Sequence, residues 1–340
     1  MKYLAFILLL FPLLSSSCVT QDVEEIDINA WTRTLPAHFD KLPVPEKNPM
    51  NMAKVELGAR LFYDPLLSKD SSVSCASCHF PALSFSDGKK RSAGIGDSLG
   101  LRNSPVLVNL AYANSYMMDG GIPSLELQAV APLMHEGEMG FDLFQLAERF
   151  EENTLYQSLS IVAFERGLDP EAIAYALAAF QRSLLSYESK YDDMINGSVS
   201  LSDSEKRGFD LFFSDSLNCA ACHNGIGFSD YKFYNLGLYK DYEDKGRWRI
   251  TEDVKDIGKF KTPTLRNIMY SSPYMHDGSI KNLMDLIEFK MTGGVDHPNK
   301  SGELKGFYLN ESDKKALISF LGTLSDPNFI EREIKREQSL

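Results

Sequence analysis

The chemistry in this sequence is concentrated in two five-residue stretches, Cys75-Ala76-Ser77-Cys78-His79 and Cys219-Ala220-Ala221-Cys222-His223. Both read C-x-x-C-H. Paired thiols followed at once by an imidazole are the attachment signature of a c-type haem: the thiols add across its vinyl groups and the histidine supplies the proximal iron ligand. A C-x-x-C pair alone also suits a structural zinc site or a redox dithiol. Each copy here carries the trailing histidine, and the copies start 144 residues apart (219 minus 75), wider than zinc ribbons or knuckles place their ligand pairs. Four of the five cysteines lie in these motifs, so a disulfide framework would sacrifice a haem. Two covalently bound haem c groups are expected, attached through Cys75, Cys78, Cys219 and Cys222, with His79 and His223 as iron ligands.

The fifth cysteine, Cys18, sits after Lys2, an apolar run from Tyr3 to Leu14, and Ser15-Ser16-Ser17. Residues 1–17 read as a secretory signal. Its twelve apolar residues, 3 to 14, are too few to span a bilayer stably. Cleavage before Cys18 and lipidation of its thiol would make a periplasmic lipoprotein whose membrane contact is that lipid. The position three before the cysteine, usually Leu in such signals, is Ser15. Export agrees with the haem motifs, because bacteria attach c-type haems outside the cytoplasm. Removing residues 1–17 takes away one charge, Lys2, and moves the formal net charge from −12 to −13. An acidic chain without a basic stripe is not a nucleic-acid binder.

The elements that must position these motifs repeat. Gly58-Ala59-Arg60-Leu61-Phe62 precedes the first motif and Gly208-Phe209-Asp210-Leu211-Phe212 the second. In both, a short helix leads into the haem-binding turn, as in a mono-haem cytochrome c. Ser202 and Glu205 form a capping box for the second of these helices. The expected fold is mainly α, two tandem cytochrome-c-like domains, each binding one c-type haem. The expected division is a signal over 1–17, a lipid-anchored tether and N-terminal arm over 18–50, a first haem domain over 51–198 and a second over 199–330. Asp169-Pro170-Glu171 is a helix start, and Ile173, Leu177, Phe180, Leu184 and Tyr187 predict a helix of about five turns that breaks at Asn196-Gly197. Shorter helices are predicted over Asp142 to Glu151 and Ser312 to Leu324. Strand signals are few.

Further motifs stand in order around these: Phe85-Ser86-Asp87-Gly88, Leu101-Arg102-Asn103-Ser104-Pro105, Met118-Asp119-Gly120, Leu125-Glu126-Leu127-Gln128 and Gly137-Glu138-Met139-Gly140. After the second haem motif come the stretch from Gly258 to Asn267, with Thr262-Pro263-Thr264-Leu265-Arg266-Asn267, and Pro273-Tyr274-Met275-His276-Asp277-Gly278. The set resembles the bacterial di-haem cytochrome c peroxidase family, which includes MauG, an oxidase of tryptophans in a partner protein. The resemblance implies that peroxide reacts at the His79 haem and that the His223 haem passes electrons. It implies Glu138 as the distal acid-base group, with Gln128 and Pro132 lining the same pocket. A peroxidase needs such a carboxylate, since splitting the O–O bond requires moving a proton from one oxygen to the other. It also implies a calcium ion between the haems, held by Asn103 and the carbonyls of Ser271 and Pro273, hard oxygen donors that suit calcium. Arg102-Asn103 reads equally as a structural turn.

Three departures from the family pattern stand out. Many relatives cap the resting peroxide haem with a His 16 residues past the proximal one; that position is Ile95, in Ser92-Ala93-Gly94-Ile95-Gly96, although His135 lies near Glu138 in sequence. Relatives place a Trp between the haems where this chain has Met118, and its two tryptophans, Trp31 and Trp248, lie elsewhere. The distal ligand of the electron-transfer haem, Met in the peroxidases and Tyr in MauG, falls on Lys290, with Met291 adjacent; either Met291 or Lys290 is the expected sixth ligand. The leading expectation is a di-haem peroxidase reducing hydrogen peroxide to water with electrons from a small periplasmic cytochrome c or cupredoxin. The alternatives are a MauG-like oxidase acting on a protein substrate, and a non-catalytic electron-transfer or haem-sensing cytochrome. A homodimer is left open.

Overall fold

The computed structural model describes residues 35–340, so the expected signal, Cys18 and Trp31 lie outside the described residues. Among them the helices are α1 (Met52–Tyr63), α2 (Leu125–Met134), α3 (Leu143–Arg149), α4 (Thr154–Phe164), α5 (Pro170–Ser183), α6 (Lys190–Ile195), α7 (Asp203–Phe212), α8 (Trp248–Thr251), α9 (Leu283–Thr292), α10 (Glu311–Gly322) and α11 (Pro327–Ser339). One short ladder, β1 (Phe233–Tyr234) antiparallel to β2 (Phe260–Lys261), completes the regular structure. The mainly helical expectation holds. The caps read from sequence also form: Asp169 accepts from Ala172 N–H, and Ser202 with Glu205 makes a reciprocal box.

Each half is built on one crossed helix pair, α1 on α5 and α7 on α10, and both crossings use the same device. A Cβ on Gly58 would lie 1.9 Å from the carbonyl oxygen of Ala176, and one on Gly208 would lie 2.0 Å from that of Ala316. The glycine lets the backbones touch, and the phenylalanine four residues later closes the crossing. Ring centroids of Phe62 and Phe180 are 5.0 Å apart, and those of Phe212 and Phe320 are 5.1 Å apart. The repeated G-x-x-x-F spacing is thus a packing requirement met twice.

Two hydrophobic cores follow, one around Leu57, Leu61, Phe62, Phe85 and Phe180, the other around Leu211, Phe212, Phe228 and Phe320. The expected division ran the second domain to residue 330, but Phe329 and Ile330 of α11 pack in the first core, with Phe329 6.1 Å from Phe85. The chain ends by returning to its first half. The predicted five-turn helix also stops early, at Ser183. Its backbone hydrogen bonds are captured by tertiary partners: Ser186 N–H donates to Asn109 Oδ1 at 2.8 Å, and Tyr187 and Glu188 N–H donate to Asp326 Oδ2 at 2.9 and 3.0 Å. Side-chain periodicity continued past the point where the backbone had a better acceptor.

The halves are joined by buried ion pairs. Arg266, 1% exposed, grips Asp192 through both Nη atoms at 2.8 Å, and His38 Nε2 lies 2.9 Å from the same carboxylate. These partners hold the Asp192 pKa down to about 2 against the cost of its burial. Arg102 bridges Asp119 at 2.8 Å and Asp244 at 2.6 Å. The helix crossing gives a stability prediction. Gly58→Ala is expected to lower stability by about 1 to 3 kcal/mol, as overpacking does. Gly322→Ala, where the added Cβ meets nothing within 4 Å, should be neutral or stabilising by about 0.4 to 1 kcal/mol. Chemical denaturation of both variants checks this, and equal midpoints would contradict it.

Candidate active site

Both C-x-x-C-H motifs form the same local structure. Cys75–Ser77 and Cys219–Ala221 are single 3₁₀ turns, closed by Cys78 N–H to the Cys75 carbonyl at 3.1 Å and Cys222 N–H to the Cys219 carbonyl at 3.4 Å. None of the four cysteines is disulfide-bonded. His79 Nδ1 lies 2.6 Å from the carbonyl oxygen of Phe85, and His223 Nδ1 lies 2.9 Å from that of Phe228. A carbonyl can only accept, so Nδ1 carries the proton and Nε2 keeps its lone pair for a metal. Ser104 Oγ, 3.2 Å from His79 Nδ1, donates to the Cys78 carbonyl at 2.7 Å and ties the first turn to the L-R-N-S-P stretch.

The two carbonyls are aimed by strained residues. Phe85 and Phe228 are buried at φ of 63° and 48°, a left-handed region that non-glycine residues rarely occupy. Ser86 Oγ donates to the Ser104 carbonyl at 2.9 Å and Ser229 Oγ to the Thr262 carbonyl at 2.7 Å, bracing both turns. Phe228 was not among the expected site residues. Its signal is a repeated F-S-D triplet, Phe85-Ser86-Asp87 and Phe228-Ser229-Asp230, six residues past His79 and five past His223.

The electrostatics narrow the chemistry of these turns. Burial pushes Cys75 up to about 12 and Cys219 up to about 11, whereas a redox dithiol needs a thiolate near neutral pH. Among the described residues, no three His, Cys, Asp or Glu side chains gather as a structural zinc would require. Burial lowers His79 and brings His223 down to about 4, so both imidazoles are neutral, the form that ligates iron.

Glu138 stands close enough to the first turn for its charge to raise both Cys75 and Cys78. The loop that carries it is pinned at the end of α2: Glu138 and Gly140 N–H both donate to the His135 carbonyl at 2.9 Å, and Met139, 4% exposed, anchors in the first core. Desolvation raises the Glu138 pKa, offset in part by His135, whose Nδ1 lies 3.7 Å from Oε1. Ile95 is held against this loop, its N–H donating to the Glu138 carbonyl at 2.9 Å. A Cβ on Gly94 would meet the Gly137 oxygen at 2.2 Å, so the two loops are pressed together. The position that departs from the resembled family therefore sits beside Glu138 and offers only an aliphatic chain.

A cavity of about 370 Å³ runs from Gln128 in the first half to Cys219, Cys222 and His223 in the second. The side-chain oxygen of Gln128 is buried there without a hydrogen-bond partner. Met118 lies on the same wall, between the halves, where its carbonyl accepts from Lys261 N–H of β2 at 2.8 Å. Asn103, Ser271 and Pro273 also share the wall. The Asn103 amide donates to the Lys89 carbonyl at 2.6 Å, leaving its own Oδ1 available. Around His223 the lining is mostly apolar, with Phe212, Leu286, Ile287 and Leu317, and Glu303 is its carboxylate. Lys290 belongs to it, and burial lowers its amine to about 8. Met291 packs against the second core instead.

The family model described as di-haem cytochrome c peroxidase matches residues 52–200. The methylamine utilization protein MauG of Methylorubrum extorquens is 37% identical over 317 residues, covering 91% of this chain and 88% of that protein. This chain belongs to the di-haem cytochrome c peroxidase family. A cytochrome-c peroxidase of Denitromonas iodatirespirans is 36% identical, with 84% of each chain covered. The crystal structure of a MauG-like protein associated with microbial copper homeostasis superposes with a TM-score of 0.84 at 32% identity, covering 87% of this chain and 96% of that one. The protein is therefore an oxidoreductase with two haem cofactors.

The residues present fit two haems: each half offers two cysteines at C-x-x-C spacing outside any disulfide, a neutral imidazole with an open Nε2 and, in the second half, a mostly apolar cavity beside it. With Ile95 on the Glu138 loop, nothing at that position can occupy the sixth site of iron held by His79. Electron paramagnetic resonance of the oxidised protein is expected to show a high-spin ferric signal beside a low-spin one. Ile95→His should convert the high-spin signal to low-spin. Two low-spin haems in the wild type would point to His135 instead.

Proposed function

We propose that this protein reduces hydrogen peroxide to water at the His79 site, with electrons delivered through the His223 site from a small periplasmic donor, a cytochrome c or cupredoxin. The observation that carries this reading is Glu138, a half-exposed acid on a pinned loop, its pKa raised by partial desolvation and its charge felt by Cys75 and Cys78 of the first C-x-x-C-H turn. A pure electron carrier has no use for such a group. In the proposal Cys75, Cys78 and His79 hold one haem and Cys219, Cys222 and His223 the other. The haems, when bound, supply the iron at which peroxide is reduced and the store for incoming electrons.

The protein's own residues handle position and protons. Gln128 orients peroxide with its amide. Glu138 takes a proton from one peroxide oxygen and gives it to the other, which makes the second a better leaving group. The O–O bond breaks, and two electrons and two protons complete the conversion of one peroxide to two waters. Asn103, Ser271 and Pro273 are proposed to hold a calcium ion between the halves. Export, with a lipid on Cys18 as the anchor, belongs to the same reading. So do the domain limits, 51–198 together with α11 for the first and 199–326 for the second.

The raised Glu138 pKa sets the direction of the pH dependence. Glu138 must begin as the carboxylate to accept a proton, so peroxide kcat/KM should rise with pH through a value above the ordinary carboxylate range and then level off. Glu138→Gln should lower turnover by about 10²- to 10⁴-fold and remove that limb while peroxide still binds. Unchanged turnover would remove Glu138 from the mechanism.

A second reading, oxidation of a partner protein, is favoured by the 37% identity to MauG over 91% of the chain. Steady-state turnover with a reduced small cytochrome separates the two. Met118 bears on both: a thioether is harder to oxidise reversibly than an indole, so the two haems should be weakly coupled. Met118→Trp is expected to speed electron transfer between them in stopped-flow after peroxide addition. A wild type that already oxidises both haems in one fast phase, unchanged by the substitution, would place the route elsewhere.

A further inference from the structure

The cavity beside His223 contains a lysine with no salt-bridge partner among the described residues, although the carboxylate of Glu303 lines the same cavity. Lys290 lies on α9, one turn past Leu286 and Ile287, and all three line the cavity together with Cys219, Cys222 and His223. Side chains at i, i+3 and i+4 share one face of a helix, so this stripe points inward as a unit. Among the described residues no carboxylate forms a salt bridge with Lys290, and its amine makes no hydrogen bond to a carbonyl; the nearest aromatic ring, Phe289, is 6.0 Å from Nζ to centroid. Lys314 in the same half shows the ordinary arrangement, its ammonium bonded to Glu288 at 2.8 Å and also to Glu311. An ammonium set largely among apolar side chains is costly to the extent that it loses water and gains no partner. As a neutral amine it has one lone pair to offer.

We propose that Lys290 Nζ is the sixth ligand of the iron held by His223. This rests on the reading that Cys219, Cys222 and His223 hold the second haem. Met291 does not compete from the same face. It follows Lys290 by about 100° of helix rotation, its carbonyl accepts from Phe307 N–H at 3.1 Å, and its side chain belongs to the second core rather than the cavity wall. Bringing its sulfur to the cavity would require α9 to turn and empty a packed site. Amine ligation also suits a haem that only passes electrons, since a site filled on both faces cannot bind peroxide. A thioether ligand would raise the potential of this haem, and an amine leaves it lower.

The test uses the full holoprotein, with haem content measured by the pyridine haemochrome method and the sixth ligand by magnetic circular dichroism of the oxidised form. The wild type should bind two haems and lack the thioether-to-iron charge-transfer band. Lys290→Ala should lose the low-spin signal, and Met291→Leu should leave it unchanged. Lys290→Met should gain the thioether band and shift the second haem to higher potential, which also guards against a variant that merely fails to fold. A thioether band in the wild type that Met291→Leu abolishes would overturn the proposal. So would an unchanged low-spin signal in Lys290→Ala, the result expected if the amine instead pairs with a haem carboxylate. Only one haem in the wild type would overturn the underlying two-site reading, and this proposal with it.

Discussion

The arrangement of the two sites depends on one buried carboxylate, Asp326. It is 0% exposed and accepts four hydrogen bonds: from Ser186 Oγ at 3.0 Å, Tyr187 N–H at 2.9 Å, Glu188 N–H at 3.0 Å and Phe329 N–H at 2.9 Å. Its own N–H donates to Asn267 Oδ1 at 2.7 Å, and Asn267 Nδ2 reaches back to Ser186 Oγ at 3.2 Å. The segment after α5 thus meets the segment after α10 at a single polar node, joining the first half to the second. Each donor left unpaired there would cost about 1 to 3 kcal/mol, so the node has one good geometry and few poor ones. The proposed electron path between two haems needs a fixed separation, and this node with the Arg266 and Asp192 pair supplies it.

Around that node the same site is built twice and then made different. Asn109 and Asn267 both take left-handed backbone, at φ of 54° and 60°, and both start a short 3₁₀ turn against the chain that leaves the main helix of their half. Phe85 and Phe228 repeat the strained carbonyl behind each histidine. What differs is the side chains that stand near each C-x-x-C-H turn. The first half has the Glu138 loop with Ile95 pressed on it, a carboxylate and an aliphatic group. The second has α9, which offers Lys290 among Leu286 and Ile287. One open and one closed metal site is the division of labour that the proposed function requires.

The attachment turns and helix caps were legible because each depends on residues within a few positions; the repeated glycine and phenylalanine spacing was legible too, but not the helix crossing it serves. The length of α5 was not. Leu184 and Tyr187 continue the apolar period, but Asn109 and Asp326, 77 and 139 residues away from the Ser186 and Tyr187 amides they bind, captured those amides. The destination of α11 was equally hidden, since its apolar residues Phe329 and Ile330 suit either core.

By itself the sequence determined the covalent chemistry: four thiols, two imidazoles and their C-x-x-C-H order specify where haems attach, because thioether and proximal ligation are made within one turn of chain. It also placed Ile95 and Met118 where relatives carry His and Trp. Only the tertiary structure shows which of two adjacent residues such as Lys290 and Met291 lines the cavity, because a helix can rotate by one position without changing its pattern of apolar residues, and neighbouring packing sets that rotation. The raised pKa of Glu138 belongs to the same class. A carboxylate acquires a raised pKa from what surrounds it, and its surroundings here come from α2, the Ile95 loop and His135 together.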